Sequence, residues 1–409
     1  MEKNWKKPIS NLLTDRLIKN MKITKSIFGK EENDIEKFNK LDLDERSIVF
    51  YSEGPSYYVY FEYIIKELIE NHDKKICYIT SSKDDPILKN KNEKIKTFYI
   101  GNNEIVKLKF FYGLKAGVLI MTMPDLGRFH IKRSKVFPVH YIYVFHSMKS
   151  AYTGLRKEAF DDFDTIFCVG QYQIQEIRAI EKLYNLKQKN LIGCGYGLLD
   201  ELLKIRSSLK QPNYLSKNGK KKILIAPSWG KQNLLETTGL ELVKILLDAN
   251  YHVTIRPHPM TIKEWPKTIK KIKNEFEKNP DFLLETNTSS FDELFSSYGL
   301  ITDWSGIGYE YAFVCERPVI YFDVPQKTYN KEYDKINLVP FEISIRDKIG
   351  EIISNQNLEK LPGKIESLYG QINDFKDKIQ KIRDSTISNI GKSGHVAANE
   401  IIRIINEKA

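Results

Sequence analysis

GLITDWSGIGYEYAFVCERPVIYFD, residues 299–323, reads as strand, turn, helix and strand. The apolar run GLIT breaks at Asp303, Trp304, Ser305, Gly306, Ile307 and Gly308, a helical stretch follows, and RPVIYFD returns to an apolar strand. A buried strand, a covering helix and a second buried strand form the unit of a parallel sheet with both faces covered. The turn is expected to start the helix at Ser305, whose hydroxyl suits a cap. Its glycines let backbone N–H groups approach a diphosphate, and Glu310 falls in the first helical turn, where a carboxylate can hold a ribose or polyol hydroxyl.

The same alternation extends in both directions. Upstream come KILIAPS (222–228), the helical TTGLELVKILLDAN (237–250), YHVTIRPHP (251–259), DFLLET (281–286) and the helical SFDELFSSY (290–298). An earlier series contains SIVFYS (47–52), KKICYITSS (74–82), KIKTFYIG (94–101), AGVLIMTMPDLG (116–127), HYIYVFHS (140–147) and DTIFCVG (164–170). Between the two series, residues 204–222 turn polar, with Pro, Asn, Gly and a lysine cluster, as expected of a connector. The expected organisation is a basic amphipathic segment over 1–46, a Rossmann-like domain over 47–203, a linker over 204–222, a second Rossmann-like domain over 223–345 and C-terminal helices over 346–409. Ligands in such sheets bind beyond the carboxyl ends of the strands, so strand-end residues carry the chemistry.

The 409 residues are more than one ordinary core holds, which also argues for two domains. A net charge of +11 favours anionic partners. The lysines are scattered rather than set in a stripe with interleaved aromatics, which argues against nucleic acid. Cys77, Cys168, Cys194 and Cys315 lack metal-type spacing and sit in or beside apolar runs, as buried thiols of a cytosolic protein do. There is no His/Cys cluster, no DxD pair in a clear strand-end loop and no GxxxxGK[ST] run, so neither a bound catalytic metal nor a P-loop is expected. No apolar run approaches the roughly 20 residues of a membrane helix. The first residues lack the apolar core of a signal peptide; instead Trp5, Ile9, Leu12, Leu13, Leu17 and Ile18 can share a face ringed by lysines. Such a segment either lies on an anionic bilayer or packs on its own protein.

Three further strand ends stand out. His146 closes HYIYVFHS and Lys149 follows it; a histidine there is either a base near neutral pH or a hydrogen-bonded structural group. Arg256, Pro257, His258 and Pro259 form a stiff turn presenting a guanidinium and an imidazole, which suits a phosphate gaining charge as its bond breaks. Ser228 and Trp229, after KILI, make a small turn able to meet a nucleotide.

Together these runs resemble the CDP-glycerol glycerophosphotransferase family of teichoic-acid and capsule enzymes, from about Ser47 onward. APSW at 226–229 is similar to that family's APTW, RPHP at 256–259 to its RxHP, TDWSGIGYE at 302–310 to its TDYSS…D helix start, and His146 with Lys149 to its HGTxxK. The HSMK run is shorter, and Glu310 replaces the aspartate. The resemblance implies the GT-B fold: two Rossmann-like α/β domains facing a cleft, with a helical C-terminal tail. It implies metal-independent transfer of a polyol phosphate from a CDP-activated donor to a glycan or lipid-linked acceptor, with CMP departing and no cofactor. His146 is then the base, Arg256 and His258 steady the phosphate, Ser305 and Gly306 bind the diphosphate and Glu310 the polyol. Ser228, Trp229, Pro257, Asp303 and Trp304 complete the implied donor site. The expected location is the cytoplasm, at the inner face of the membrane. Two other readings stay open: a GT-B transferase using a nucleotide sugar, and a nucleotide-sugar epimerase, which needs several cleft carboxylates such as Glu310, Asp303 and Asp125.

Overall fold

The computed structural model describes residues 30–209, 212–286, 290–326 and 328–408. The amphipathic face expected between Trp5 and Ile18 therefore lies outside the described residues. Within them, the apolar runs become two parallel sheets. The first holds β1 (Ile48–Ser52), β2 (Ile76–Thr80), β3 (Ile95–Tyr99), β4 (Val118–Met121), β5 (His140–Val144), β6 (Thr165–Cys168) and β7 (Asn190–Gly193), in the order β3-β2-β1-β4-β5-β6-β7. The second holds β8 (Lys222–Ile225), β9 (His252–Ile255), β10 (Phe282–Leu284), β11 (Gly299–Thr302), β12 (Val319–Phe322) and β13 (Gly350–Ile353), in the order β10-β9-β8-β11-β12-β13. Strand order reverses between β1 and β4 in one sheet and between β8 and β11 in the other. Crevices open at such reversals, beyond the carboxyl ends of the strands.

β1, β2 and β4 are buried at every position, which is why their sequences carry no polar alternation. The edge strands differ. Every residue of β7 is half-buried, and β13 is buried at its two ends and accessible between them. Neither has the apolar run that marks the inner strands, and the sequence reading missed both. The expected linker also needs correcting at its start. The helix Gly197–Ser208, anchored by buried Leu198, Leu199 and Leu202, continues through Ser208. Lys204, Arg206 and Ser207 are its polar face rather than a break.

One apolar core is continuous through both sheets, joining Val49, Tyr143 and Phe163 to Leu300, Tyr309 and Phe313. A separate core covers the far face of the second sheet. The far face of the first sheet is completed by the last helix, Ser393–Asn406, which returns from the second lobe and inserts Ala397, Ala398, Ile401 and Ile404. Gly394 permits its close approach, because a Cβ there would stand 2.6 Å from the Tyr63 carbonyl of the Glu62–Glu70 helix. The four cysteines are buried and free. Among the described residues no helix is long and apolar enough to cross a membrane.

Candidate active site

His146, two residues beyond β5, is half-buried, with its ring edge-on to two tyrosines of the segment after β1. Ring centroids lie 6.2 Å from Tyr57 and 5.9 Å from Tyr60. Burial holds the imidazole below the usual histidine range, a Thr122 backbone hydrogen bond opposes that, and Lys149 adds to it. His146 is therefore neutral near pH 7, the state a proton acceptor needs.

The turn after His146 is clamped by the helix Gln171–Leu183. Tyr172 donates to the Met148 carbonyl at 2.5 Å, Gln173 Nε2 donates to that of Lys149 at 2.9 Å, and Ala151 N–H donates to Glu176 at 2.7 Å. From the other lobe, Glu342 accepts from the Ser150 N–H at 3.0 Å and from the Thr153 hydroxyl. Burial lowers the Lys149 pKa, and the carboxylates of Glu342 and Asp303 oppose that, so its ammonium lies within the field of second-lobe acids.

On the second lobe, the β11–β12 connection meets this turn. A Cβ on Gly306 would lie 3.1 Å from Ser147 Oγ, so the two strand-end turns touch across the lobes. Ser305 does not cap the helix Ile307–Cys315: Gly306 holds the cap position, with helical backbone angles and no side-chain cap. Ser305 stays half-exposed, and its carbonyl accepts from Gly308 N–H at 3.3 Å. Asp303 is fully buried and accepts from the N–H groups of Ser228 at 2.7 Å and Leu234 at 3.3 Å. It holds the β8 turn in place. Trp304 is pinned, its indole donating to the Val324 carbonyl at 2.7 Å and its ring lying 3.9 Å from the Arg346 guanidinium.

Glu310 and Arg256 complete the interlobe group. The Tyr196 hydroxyl lies 3.2 Å from both the His146 carbonyl and Glu310 Oε1, so one proton is shared between the lobes. Burial raises the Glu310 carboxyl pKa, against the Tyr196 hydrogen bond and the Arg256 charge. Burial works against the Arg256 charge, and Glu310, then Glu285 and Glu293, offset it. Tyr60 lies in the field of both Glu310 and Arg256 while contacting His146.

His258 begins the short helix Pro259–Glu264, and its Nδ1 accepts from Met260 N–H at 3.1 Å. An Nδ1 that accepts leaves the proton of the neutral ring on Nε2. Its ring packs 6.1 Å from Trp229, which in turn lies 6.4 Å from Trp265. Pro257 is buried between Arg256 and His258, stiffening the turn.

The fold thus brings His146, Lys149, Arg256, Asp303, Gly306 and Glu310 to one interlobe region, with Ser228 tied to it through Asp303 and His258 paired with Trp229. Asp125 lies on the first lobe, where burial raises its carboxyl pKa and Arg156 and Arg128 oppose that. The sequence reading missed Tyr60, Tyr196 and Glu342. Each bridges segments far apart in the chain, and no local motif marks any of them. Among the described residues no group of three or more His, Cys, Asp or Glu side chains could hold a metal ion.

Against known proteins, the model of the CDP-Glycerol:Poly(glycerophosphate) glycerophosphotransferase family matches residues 35–388. No curated protein matches. Among solved structures, UDP-GlcNAc 2-epimerase from Neisseria meningitidis bound to UDP-GlcNAc superposes with a TM-score of 0.52 at 13% identity, over 87% of this chain and 99% of that one. The Methanocaldococcus jannaschii UDP-GlcNAc 2-epimerase, in complex with UDP-GlcNAc and UDP, gives 0.53 at 14% identity, over 88% and 99%. A glycosyltransferase from Rickettsia africae gives 0.50 at 12%, over 88% and 99%. At these identities the likeness fixes the architecture, the two-lobed GT-B arrangement, and nothing finer.

Proposed function

The chain belongs to the CDP-glycerol:poly(glycerophosphate) glycerophosphotransferase family, and from that premise we propose that it moves a glycerol-phosphate-like group from a CDP-activated donor to a hydroxyl of a surface-glycan or lipid-linked acceptor. The observation that carries this reading is the interlobe group: a neutral imidazole from one lobe, His146, linked through Tyr60 and Tyr196 to Arg256 and Glu310 of the other. In the proposed step the acceptor hydroxyl loses its proton to His146 as its oxygen attacks the donor's β-phosphorus. The bond from that phosphorus to the bridging oxygen breaks, and CMP departs with the electron pair. Arg256 and the Nε2–H of His258 stabilise the oxygens on which charge builds, and Lys149 adds a cation from the facing lobe. Glu310 holds a donor hydroxyl. Ser228, Trp229, Ser305 and Gly306 seat the nucleotide and diphosphate.

We take 47–203 as the acceptor-side domain and 223–345 as the donor-side domain, with the helix Gly197–Ser208 carrying the first lobe past residue 203. We place the reaction in the cytoplasm at the inner face of the membrane. The net charge of +11 and the basic segment ahead of residue 30 support contact with an anionic surface. The test is a donor panel: CDP-glycerol, CDP-ribitol and several UDP-sugars, each with a glycan acceptor. CMP release with a mass gain of one polyol phosphate is the expected result. UDP release with a sugar added would replace the reading by a glycosyltransferase, and interconversion of a UDP-sugar without acceptor by an epimerase.

A further inference from the structure

The first sheet has its own order reversal, between β1 and β4, and the proposed donor chemistry uses none of the groups around it. Glu53 follows β1 directly, and Asp125 lies in the turn after β4. Tyr57 stands one turn beyond Glu53, with its ring edge-on to His146. Tyr143 belongs to β5, paired in register with Met121 of β4. Its ring is fully buried among Phe145, Phe160 and Phe163, yet its hydroxyl is buried without a hydrogen-bond partner. An orphaned buried hydroxyl costs about 1–3 kcal/mol unless something satisfies it. Burial raises the pKa of the Tyr143 hydroxyl, and the nearby Asp125 and Glu53 carboxylates reinforce it. Burial raises the Glu53 carboxyl pKa, and Lys107, buried on the helix Glu104–Tyr112, opposes that.

We propose that Glu53, Tyr57, Asp125 and Tyr143 form the acceptor pocket, and that they take the hydroxyl-bearing end of a polyol or sugar so that one hydroxyl faces His146. Carboxylates accept hydrogen bonds from vicinal hydroxyls, the Tyr143 hydroxyl gains its missing partner, and the Tyr57 ring walls the carbon chain and fixes the imidazole. Glu53 and Asp125 thus act in acceptor recognition, and Tyr57 is a positioning residue. This assignment rests on the transferase reading above and deepens it.

The test titrates a short synthetic poly(glycerol phosphate) acceptor, and separately CMP, into wild type and into Glu53→Gln, Tyr57→Phe and Tyr143→Phe by calorimetry. Transfer kinetics are run alongside. Tyr143→Phe keeps the packed ring and removes only the orphaned oxygen, so its fold is safe. The expected result is a tenfold or greater loss of acceptor affinity in Glu53→Gln and a severalfold loss in Tyr143→Phe, with CMP affinity within twofold of wild type. In kinetics the same variants raise the acceptor KM more than they lower kcat. Unchanged acceptor affinity in Glu53→Gln and Tyr143→Phe overturns the pocket, as does an equal loss for CMP. If wild type releases no CMP from any CDP-polyol, the transferase reading falls separately. The acceptor titration then decides the pocket alone, and wild type that binds none of the polyol phosphate ends it.

Discussion

His146 must stay neutral, stay oriented and stay near the facing lobe, and a different neighbour secures each condition. Burial keeps the proton off, the Tyr57 and Tyr60 rings hold the imidazole, and Tyr196 ties its carbonyl to Glu310. Replacing His146 or His258 by alanine is expected to lower turnover at least a hundredfold, about 2.7 kcal/mol of transition-state stabilisation, with the circular dichroism spectrum unchanged. Stopped assays of CMP release measure this; near-native rates in both variants would remove them from the mechanism. A base works only when deprotonated, and the His146 pKa lies below its ordinary 6.5. The acid limb of kcat/KM is therefore expected to begin below pH 6.5 and fall roughly tenfold per pH unit beneath the His146 pKa. A limb centred above that value would contradict the assignment. The strand-end position and the neighbouring lysine made His146 readable in the sequence. Tyr60 and Tyr196 were not readable, because a residue that acts by touching a distant segment leaves no trace in its own.

At the scale of elements, the inner strands were legible because burial on both faces leaves uninterrupted apolar runs, as in KILI and VLIM. β7 and β13 were not: in each, a glycine and one polar residue leave only two apolar positions in a row. The helix start after β11 was read correctly in place and wrongly in its cap. A Ser-Gly-Ile-Gly run offers two adjacent starting points, and the contact of Gly306 with Ser147 belongs to tertiary structure. The pair of helices Glu62–Glu70 and Ser393–Asn406 gives a sharper test. Alanine usually favours a helix over glycine by up to about 1 kcal/mol. At position 394, however, the new Cβ would press on the Tyr63 backbone at 2.6 Å, which cannot yield as a side-chain tip does. Overpacking of this kind costs about 1–3 kcal/mol, so Gly394→Ala is expected to destabilise overall, read as a lower urea midpoint. A raised midpoint would mean that the helices separate freely.

Over the whole molecule, the lobes are joined by more than a hinge. One core runs through both sheets, and Glu342 and Glu332 of the second lobe bind Ser150, Thr153 and Lys157 of the first. Removing Glu342 as glutamine keeps the shape but weakens its hold on the turn that carries His146 and Lys149. Such a variant should retain its melting profile within a few degrees and lose at least fivefold in kcat, which a paired calorimetric and kinetic assay would detect. The last helix binds the two halves in another way, with Ile401 fully buried against the first sheet. Ile401→Ala is expected to cost about 2–5 kcal/mol and to loosen the first sheet, read by hydrogen exchange at β1 and β2. That return crossing also sets a schedule at the ribosome. The amino-terminal sheet is translated before residues 393–406, so its outer face stays only partly covered, by the helix Glu62–Glu70, until they emerge from the exit tunnel. From the emergence of the first sheet until residues 393–406 follow, the nascent chain therefore shows a chaperone an unfinished apolar surface. The half made second can close before the half made first.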